Sequence, residues 1–183
     1  GGVPSMRTHE TLAAFMTEHL TTQAMTHYLL QCTQITDVNR VLFVDQQHPN
    51  AVDYLSTLTL IGLKEHFGQQ CSPLFPAPWI YRDYDGDVSH LYGRGFGTTR
   101  LLDPDLRADN ELSGATAELR YQDFDTLVIG SISRNIELAR ELARYFAPDR
   151  TIWIHGEDAP PLASQVRSYR TFGTHLFVRG IDV

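Results

Sequence analysis

The sequence contains a single lysine, Lys64, although lysine and arginine together account for 15 of its 183 residues. Aspartate and glutamate number 22, so the formal net charge is −7 at neutral pH, and no cluster or stripe of basic residues occurs. A protein that binds nucleic acid needs clustered lysine and arginine to neutralise phosphates. The composition therefore argues against a nucleic-acid partner.

Cysteine and long apolar runs are also scarce. The two cysteines, Cys32 and Cys71, lie far apart, which is typical of free, buried thiols in a reducing compartment rather than of a disulfide framework. No run approaches the roughly 18 apolar residues of a membrane span, and no signal peptide is visible. We therefore expect a cytoplasmic protein that does not associate with a membrane.

Length and composition predict one globular domain. A chain of 183 residues that is 42% hydrophobic can bury a core without metal or disulfide cross-links. We interpret residues 1–7 as a tag remnant and a disordered start, because a Gly-Gly-Val-Pro-Ser stretch precedes Met6. Apolar residues at helical spacing from Thr8 to Leu30 predict a helix, so that residues 8–39 form an N-terminal helix and linker. Residues 40–183 then form a single α/β domain.

Short apolar runs in the second part of the chain predict strands. Runs without polar alternation are typical of strands covered on both faces, as in a parallel sheet. They occur at 40–45, 71–75, 125–130, 151–154 and 174–178, and several are separated by helical patterns. We predict an open doubly wound, mostly parallel sheet of about five strands, Rossmann-like or flavodoxin-like, with an extra N-terminal helix. Strand order 2-1-3-4-5 is favoured over 3-2-1-4-5.

Polar residues follow the first and third predicted strands, at the sheet edge where ligands of open α/β sheets bind. Asp45 could hold a ligand hydroxyl or a metal ion, or it could cap its own turn. Ser131, Ser133 and Arg134 lie where a helix begins, so they could bind phosphate or carboxylate. Alternatively, Ser133 or Asn135 caps that helix. The Gly-x-Ser-x-Gly spacing of a nucleophile elbow is absent.

The densest polar cluster follows the fourth strand and consists of His155, Glu157 and Asp158. A histidine beside two carboxylates could act in acid–base catalysis or contact a ligand. The alternative is that Glu157 and Asp158 cap the helix that follows. The sequence lacks the His-Glu-x-x-His motif and the Pro-Cys-x-x-Cys run of zinc deaminases, so we predict no metal site.

A glycine cluster lies in the long irregular segment between the second and third strands. Gly93 and Gly95 would let the backbone approach a ligand closely, and Arg94 could bind an anion. The alternative is a tight surface loop with Phe96 buried in the core. The cluster is neither a Walker loop nor a Rossmann fingerprint. Glu111 to Tyr121 is predicted to form a weak helix.

Several stretches together resemble a known family, and they are Val52-Asp53-Tyr54-Leu55, Ile61-Gly62-Leu63-Lys64, Leu91-Tyr92-Gly93-Arg94-Gly95-Phe96, Phe124-Asp125-Thr126-Leu127-Val128-Ile129-Gly130-Ser131 and Ile154-His155-Gly156-Glu157-Asp158. From about Arg40 to Val178 the chain is similar to the amino-terminal α/β domain of bacterial glycosyltransferase-like proteins. The resemblance implies binding of a sugar or nucleotide sugar. The group typically has Asp at the position of His155, and its members continue into a carboxyl-terminal domain that this length does not accommodate. The resemblance therefore implies a half-site that does not transfer sugar alone.

These observations leave three functional hypotheses. The first is a glycosyltransferase-like domain that binds a sugar, a nucleotide sugar or another anionic small molecule at the carboxyl edge of the sheet. The second is a non-enzymatic sensing or scaffolding module that forms a homodimer through its N-terminal helix. The third is a hydrolase that uses His155 with Glu157 or Asp158. The sequence identifies no cofactor and leaves open whether the protein is an enzyme.

Overall fold

The computed structural model describes residues 6–46, 53–112, 119–157 and 159–178. Its centre is a five-stranded sheet in the order β2-β1-β3-β4-β5, and every pair of neighbouring strands is parallel. The strands are β1 (Val41–Val44), β2 (Cys71–Pro73), β3 (Thr126–Ile129), β4 (Thr151–His155) and β5 (His175–Val178). The predicted doubly wound fold is confirmed, as is the favoured strand order.

Helices cover both faces of the sheet, and they are α1 (Met6–His19), α2 (Thr22–Thr33), α3 (Tyr54–Phe67), α4 (Asp109–Leu112), α5 (Ile136–Leu142) and α6 (Ala163–Tyr169). Successive side chains of a strand point to opposite faces. In β1, Val41 and Phe43 therefore pack with α2 and α3, whereas Leu42 and Val44 pack with α5 and α6. Because both faces are buried, the strands are apolar without alternation, as the sequence indicated.

The N-terminal region forms two helices, so the prediction of a single helix from Thr8 to Leu30 is wrong. The chain breaks at Leu20 and Thr21, and the Thr21 hydroxyl caps α2 by accepting a hydrogen bond from the Ala24 N–H at 3.1 Å. Apolar residues continue at helical spacing through the break, which is why the sequence pattern did not show it. No residue of α1 is buried, whereas α2 packs against α3.

Helices α2 and α3 approach each other closely at Gly62. A Cβ atom at this position would collide with the carbonyl oxygen of Thr22. The same helix α2 reaches the edge strand β5, where the rings of Tyr28 and Phe177 lie 6.1 Å apart between centroids. Helix α2 therefore spans the α3 face of the sheet and belongs to the core of the fold.

The two thiols differ in environment. Cys71 begins β2 and is buried, and this burial raises the pKa of its thiol to about 12, so it remains protonated at neutral pH. Cys32 lies on the outer side of α2 and is exposed, so the prediction of two buried thiols is correct only for Cys71. Within the described ranges, no helix has the length and hydropathy needed to cross a membrane.

The long connection from β2 to β3 is irregular but attached to the core. It contains short 3-10 turns and helix α4, and Tyr81 forms an isolated parallel bridge with Leu102. The predicted helix from Glu111 to Tyr121 can be compared only in part, because residues 113–118 lie outside the described part. Of the predicted tag remnant and disordered start at 1–7, residues 1–5 also lie outside it, whereas Met6 and Arg7 belong to helix α1, so they are not a disordered start. Helix α4 ends at Leu112, and Tyr121 begins a 3-10 turn.

Candidate functional site

Asp45 is the buried centre of a polar network at the carboxyl edge of the sheet. It follows β1 on the α3 face and accepts a hydrogen bond from the hydroxyl of Ser56 in α3. Arg134 Nη2 and Asn135 Nδ2 each donate to the same carboxylate at 2.8 Å. Asp45 thus joins the end of β1 to α3 and to the turn that follows β3. The donors around it are side chains of α3 and of this turn.

Arg134 connects Asp45 to a second carboxylate, that of Asp53. Asp53 caps α3, because its Oδ1 atom accepts from the Leu55 N–H at 2.9 Å. Its Oδ2 atom lies 3.4 Å from Arg134 Nη2. The positive charge of Arg134 is therefore shared between two carboxylates of the chain itself. Charge-assisted contacts of this kind hold a guanidinium in one orientation.

Ser133 and Glu157 bring the loops after β3 and β4 together. The hydroxyl of Ser133 donates to Glu157 Oε1, and the hydroxyls of Ser131 and Ser133 lie 3.3 Å apart. Both Ser133 and Glu157 are exposed, whereas Ser131 is buried. Burial raises the pKa of Tyr169, and the negative charge of the Glu157 carboxylate raises it further. We refer to Asp45, Asp53, Ser133, Arg134 and Glu157 as the rim.

Neither proposed helix cap is formed at these two loops. Asn135 occupies the N-cap position of α5, but its amide donates instead to Asp45 and to the Ser131 carbonyl, the latter at 2.6 Å. Its Oδ1 atom accepts from the Gln46 N–H at 2.8 Å. At the start of α6, the side-chain oxygen of Gln165 accepts a hydrogen bond from the Leu162 N–H at 2.7 Å. The capping interpretations for Ser133, Asn135 and Glu157 are therefore wrong.

His155 lies beneath the rim rather than on it. It is the last residue of β4, is buried, and its ring lies 6.2 Å from that of Tyr169 on the α5–α6 face. Nε2 lies 3.0 Å from the Ala159 carbonyl, and Nδ1 has no hydrogen-bond partner among the described residues. Asp45 points to the opposite face, because strand side chains alternate. Asp158 lies outside the described residues.

The glycine loop borders the rim through Tyr54. A Cβ atom at Gly93 would collide with the hydroxyl of Tyr54, the residue that follows Asp53 at the start of α3. Gly93, Arg94 and Gly95 all have positive φ angles, of 59°, 56° and 69°. Phe96 is 85% exposed, so the alternative interpretation, a surface loop with this ring buried in the core, is wrong.

A second polar cluster was missed by the sequence reasoning. Lys64, fully buried in α3, forms an ion pair with Glu111 of α4 and donates to the Leu106 carbonyl at 3.1 Å. Tyr81 donates its hydroxyl to Glu111 Oε1 at 2.8 Å, and burial together with this carboxylate raises the pKa of Tyr81. The cluster lies near Cys71, at the amino end of β2, so it attaches the long connection to α3 at the edge opposite the rim. The sequence signal that could have revealed this cluster is the single lysine, Lys64, within a largely apolar helical pattern.

The rim offers mainly hydrogen-bond acceptors. The rim contains three carboxylates, those of Asp45, Asp53 and Glu157, but only one guanidinium, that of Arg134, which pairs with Asp45 and Asp53, so its formal net charge is negative. Such an arrangement suits ligand hydroxyls, which donate to carboxylates. Throughout the described ranges, no group of three or more His, Cys, Asp or Glu side chains is arranged to hold a metal ion.

The structure thus brings the loops after β1, β3 and β4 together and sets the glycine loop beside them. Asp53, Ser56 and Asn135 belong to this network, although the sequence reasoning did not select them. Asp53 could have been found, since an aspartate directly before a helical pattern is a typical N-cap. Comparison of the chain with protein-family models, with curated proteins and with solved structures found no match.

Proposed function

We propose that the chain is a glycosyltransferase-like domain that binds a sugar, a nucleotide sugar or another anionic small molecule at the carboxyl edge of its sheet. In this proposal it acts in the bacterial cytoplasm and is not a complete transferase by itself. The observation that carries the proposal is the convergence of Asp53, Arg134 and Glu157 from three separate loops at the edge where ligands of such sheets bind.

The chemistry of the rim fits the hydroxyl-rich part of such a ligand. Glu157 is exposed and its carboxylate has acceptor capacity beyond the bond from Ser133. Arg134 is held by Asp45 and Asp53, so its orientation is set before a ligand arrives. Preorganised polar groups lose little conformational entropy on binding. The rim therefore supports recognition of a polyhydroxy ring better than recognition of an isolated anion.

Thermal unfolding in the presence of a panel of free sugars and nucleotide sugars tests this proposal. A ligand at 100 times its Kd stabilises the folded state by about 2.7 kcal/mol, which for a chain of this size raises Tm by roughly 5–10 °C. We expect Glu157→Gln to reduce the shift, because the variant loses a charged acceptor. Glu141→Gln, an exposed change on α5, is the matched control. Absence of any shift across the panel would contradict the proposal.

A second candidate function, self-association, is favoured by the exposure of α1. Leu12, Phe15, Met16 and Leu20 follow one another at helical spacing and are 52–66% exposed. Leu20 and Tyr28 also line a cleft of about 730 Å³ beside α2 and α3, so the apolar surface continues from α1 into this cleft. A contiguous apolar surface of this kind is typical of an interaction site.

The area of this surface is sufficient for a second copy of the chain. At roughly 200 Å² for each large side chain, the exposed parts of the four α1 residues and Tyr28 amount to about 600 Å². Two copies would then bury about 1,200 Å², the lower end of the range for specific interfaces. We propose a homodimer in which α1 of each copy covers the apolar surface of the other.

Phe15→Asp is expected to convert this dimer into a monomer, because a carboxylate would be buried in the interface without a partner. Sedimentation velocity at protein concentrations from about 1 to 100 µM measures the change. Thr17→Asp is the control, since Thr17 is exposed on another side of the same helix. A wild-type chain that stays monomeric over this range, or two variants that behave alike, would rule out this interface.

A further inference from the structure

The glycine loop from Gly93 to Gly97 is held in a conformation that is costly for one of its residues. Arg94 has a φ angle of 56°, in the left-handed region, where a residue other than glycine loses about 1–2 kcal/mol. Glycine adopts this conformation without a steric cost, and both neighbouring residues, Gly93 and Gly95, are glycines. The hydroxyls of Thr98 and Thr99 donate to the Gly95 carbonyl at 3.3 Å and 3.1 Å, which holds the loop in place.

In this strained conformation the side chains of Arg94 and Phe96 are exposed to solvent, and neither contributes to the packing of the fold. Phe96 is more exposed than any other large hydrophobic residue described in the fold, at 85%. The guanidinium of Arg94 is exposed and forms no hydrogen bond or ion pair with any residue that the structure describes. Backbone strain and unsatisfied side chains on a positioned loop are typical of ligand contacts.

The position of the loop connects these side chains to the rim. Gly93 touches the hydroxyl of Tyr54, and the adjacent Asp53 faces Arg134. Phe96 follows Gly93 by three residues, so their Cα atoms lie no more than about 11 Å apart. A phosphorylated sugar that extends from the rim along Tyr54 would therefore meet the loop that carries Arg94 and Phe96.

The rim and the glycine loop differ in charge, and this difference indicates which end of such a ligand binds to each. The rim is negative, because Asp45, Asp53 and Glu157 outnumber Arg134, so it disfavours an anionic group. Arg94, by contrast, has no carboxylate partner among the described residues and keeps its full donor capacity for phosphate. The anionic end of the ligand therefore fits the loop, while its hydroxyls fit the rim.

We propose that the glycine loop is a clamp for a phosphorylated sugar, in which Arg94 pairs with the phosphate and Phe96 covers a ring of the same ligand. The inference rests on the proposed sugar-binding function and adds the ligand class and the residues that select it. The same chemistry is present in a sugar phosphate and in a nucleotide sugar. In the first the ring against Phe96 is the sugar, and in the second it is the sugar or the base.

Titration calorimetry with glucose 1-phosphate, UDP-glucose, glucose and inorganic phosphate tests the clamp. Arg94→Gly suits this purpose, because glycine relieves the positive-φ strain and the variant therefore folds at least as well as the parent chain. We expect it to weaken binding of the phosphorylated sugars by at least about tenfold, the loss of one charge-assisted pair, and to leave binding of glucose unchanged. Phe96→Ala is expected to weaken the phosphorylated sugars by about threefold to tenfold.

Arg120→Ala provides the control, since this exposed arginine precedes β3 at the other edge of the sheet. Equal binding of a phosphorylated probe by the parent, Arg94→Gly and Phe96→Ala chains would overturn the clamp and leave the proposed function standing. Glucose binding as tightly as glucose 1-phosphate would also overturn the clamp alone. No binding of any probe to the parent chain would count against both. Tighter binding of UDP-glucose than of glucose 1-phosphate would identify the nucleotide sugar as the source of the phosphate.

Discussion

Replacement of Lys64 by methionine is expected to lower the free energy of unfolding by about 3–5 kcal/mol. Lys64 is 0% exposed and Glu111, its partner, is only 3% exposed in their side chains. Methionine fills the space of the lysine stem but leaves the Glu111 carboxylate buried without its cationic partner, so that among the described residues Tyr81 and the Ala108 N–H remain as its hydrogen-bond donors. Urea denaturation followed by circular dichroism measures the loss.

A double-mutant cycle separates the charge from the packing. Glu111→Gln alone leaves the Lys64 ammonium buried and unpaired, so a comparable loss is expected. The double variant, with Lys64→Met and Glu111→Gln, removes both charges and should recover part of the sum of the two losses. A loss below about 1 kcal/mol for Lys64→Met would show that the pair does not anchor the long connection to α3.

Replacement of Asp45 by alanine is expected to lower the free energy of unfolding by about 3 kcal/mol. The change removes the acceptor for Ser56, Arg134 and Asn135 at once. The loss is smaller than at Lys64, because Arg134 is partly exposed and retains Asp53 as a partner. Thermal and urea unfolding measure it.

Two further variants give this experiment its reference points. Asp45→Asn keeps one acceptor oxygen in the network, so its loss should be smaller than that of the alanine variant. Glu157→Gln changes an exposed carboxylate at the same rim and should alter stability by less than about 0.5 kcal/mol. An Asp45→Ala chain as stable as Glu157→Gln would mean that the buried network does not hold β1, α3 and the turn after β3 together.

Much of the fold could be predicted because its signal is local. The apolar runs at β1, β3 and β4 mark strands buried on both faces, and their separation by a helix such as α5 marks a parallel connection. The break between α1 and α2 could not be predicted in this way. The apolar spacing runs on past Leu20, whereas the Thr21 cap and the packing of α2 on α3 at Gly62 separate the two helices.

The candidate site could be located from the sequence but not assembled. Topology alone sets residues after parallel strands at one edge, and Asp45, Arg134 and Glu157 do lie there. His155 immediately precedes this edge in sequence, yet the alternation of side chains along β4 turns it under the sheet toward Tyr169. A shift of one position along a strand moves a side chain from one face of the sheet to the other.

The sequence by itself determined the layered architecture, because the periodicity of apolar residues already states which segments must be covered on both faces. Only the tertiary structure decided which polar groups meet. Asp45 and Arg134 are 89 residues apart, and Lys64 and Glu111 are 47 apart. Partners so distant leave no local pattern, since their pairing depends on how strands and loops are placed in space rather than on neighbours along the chain.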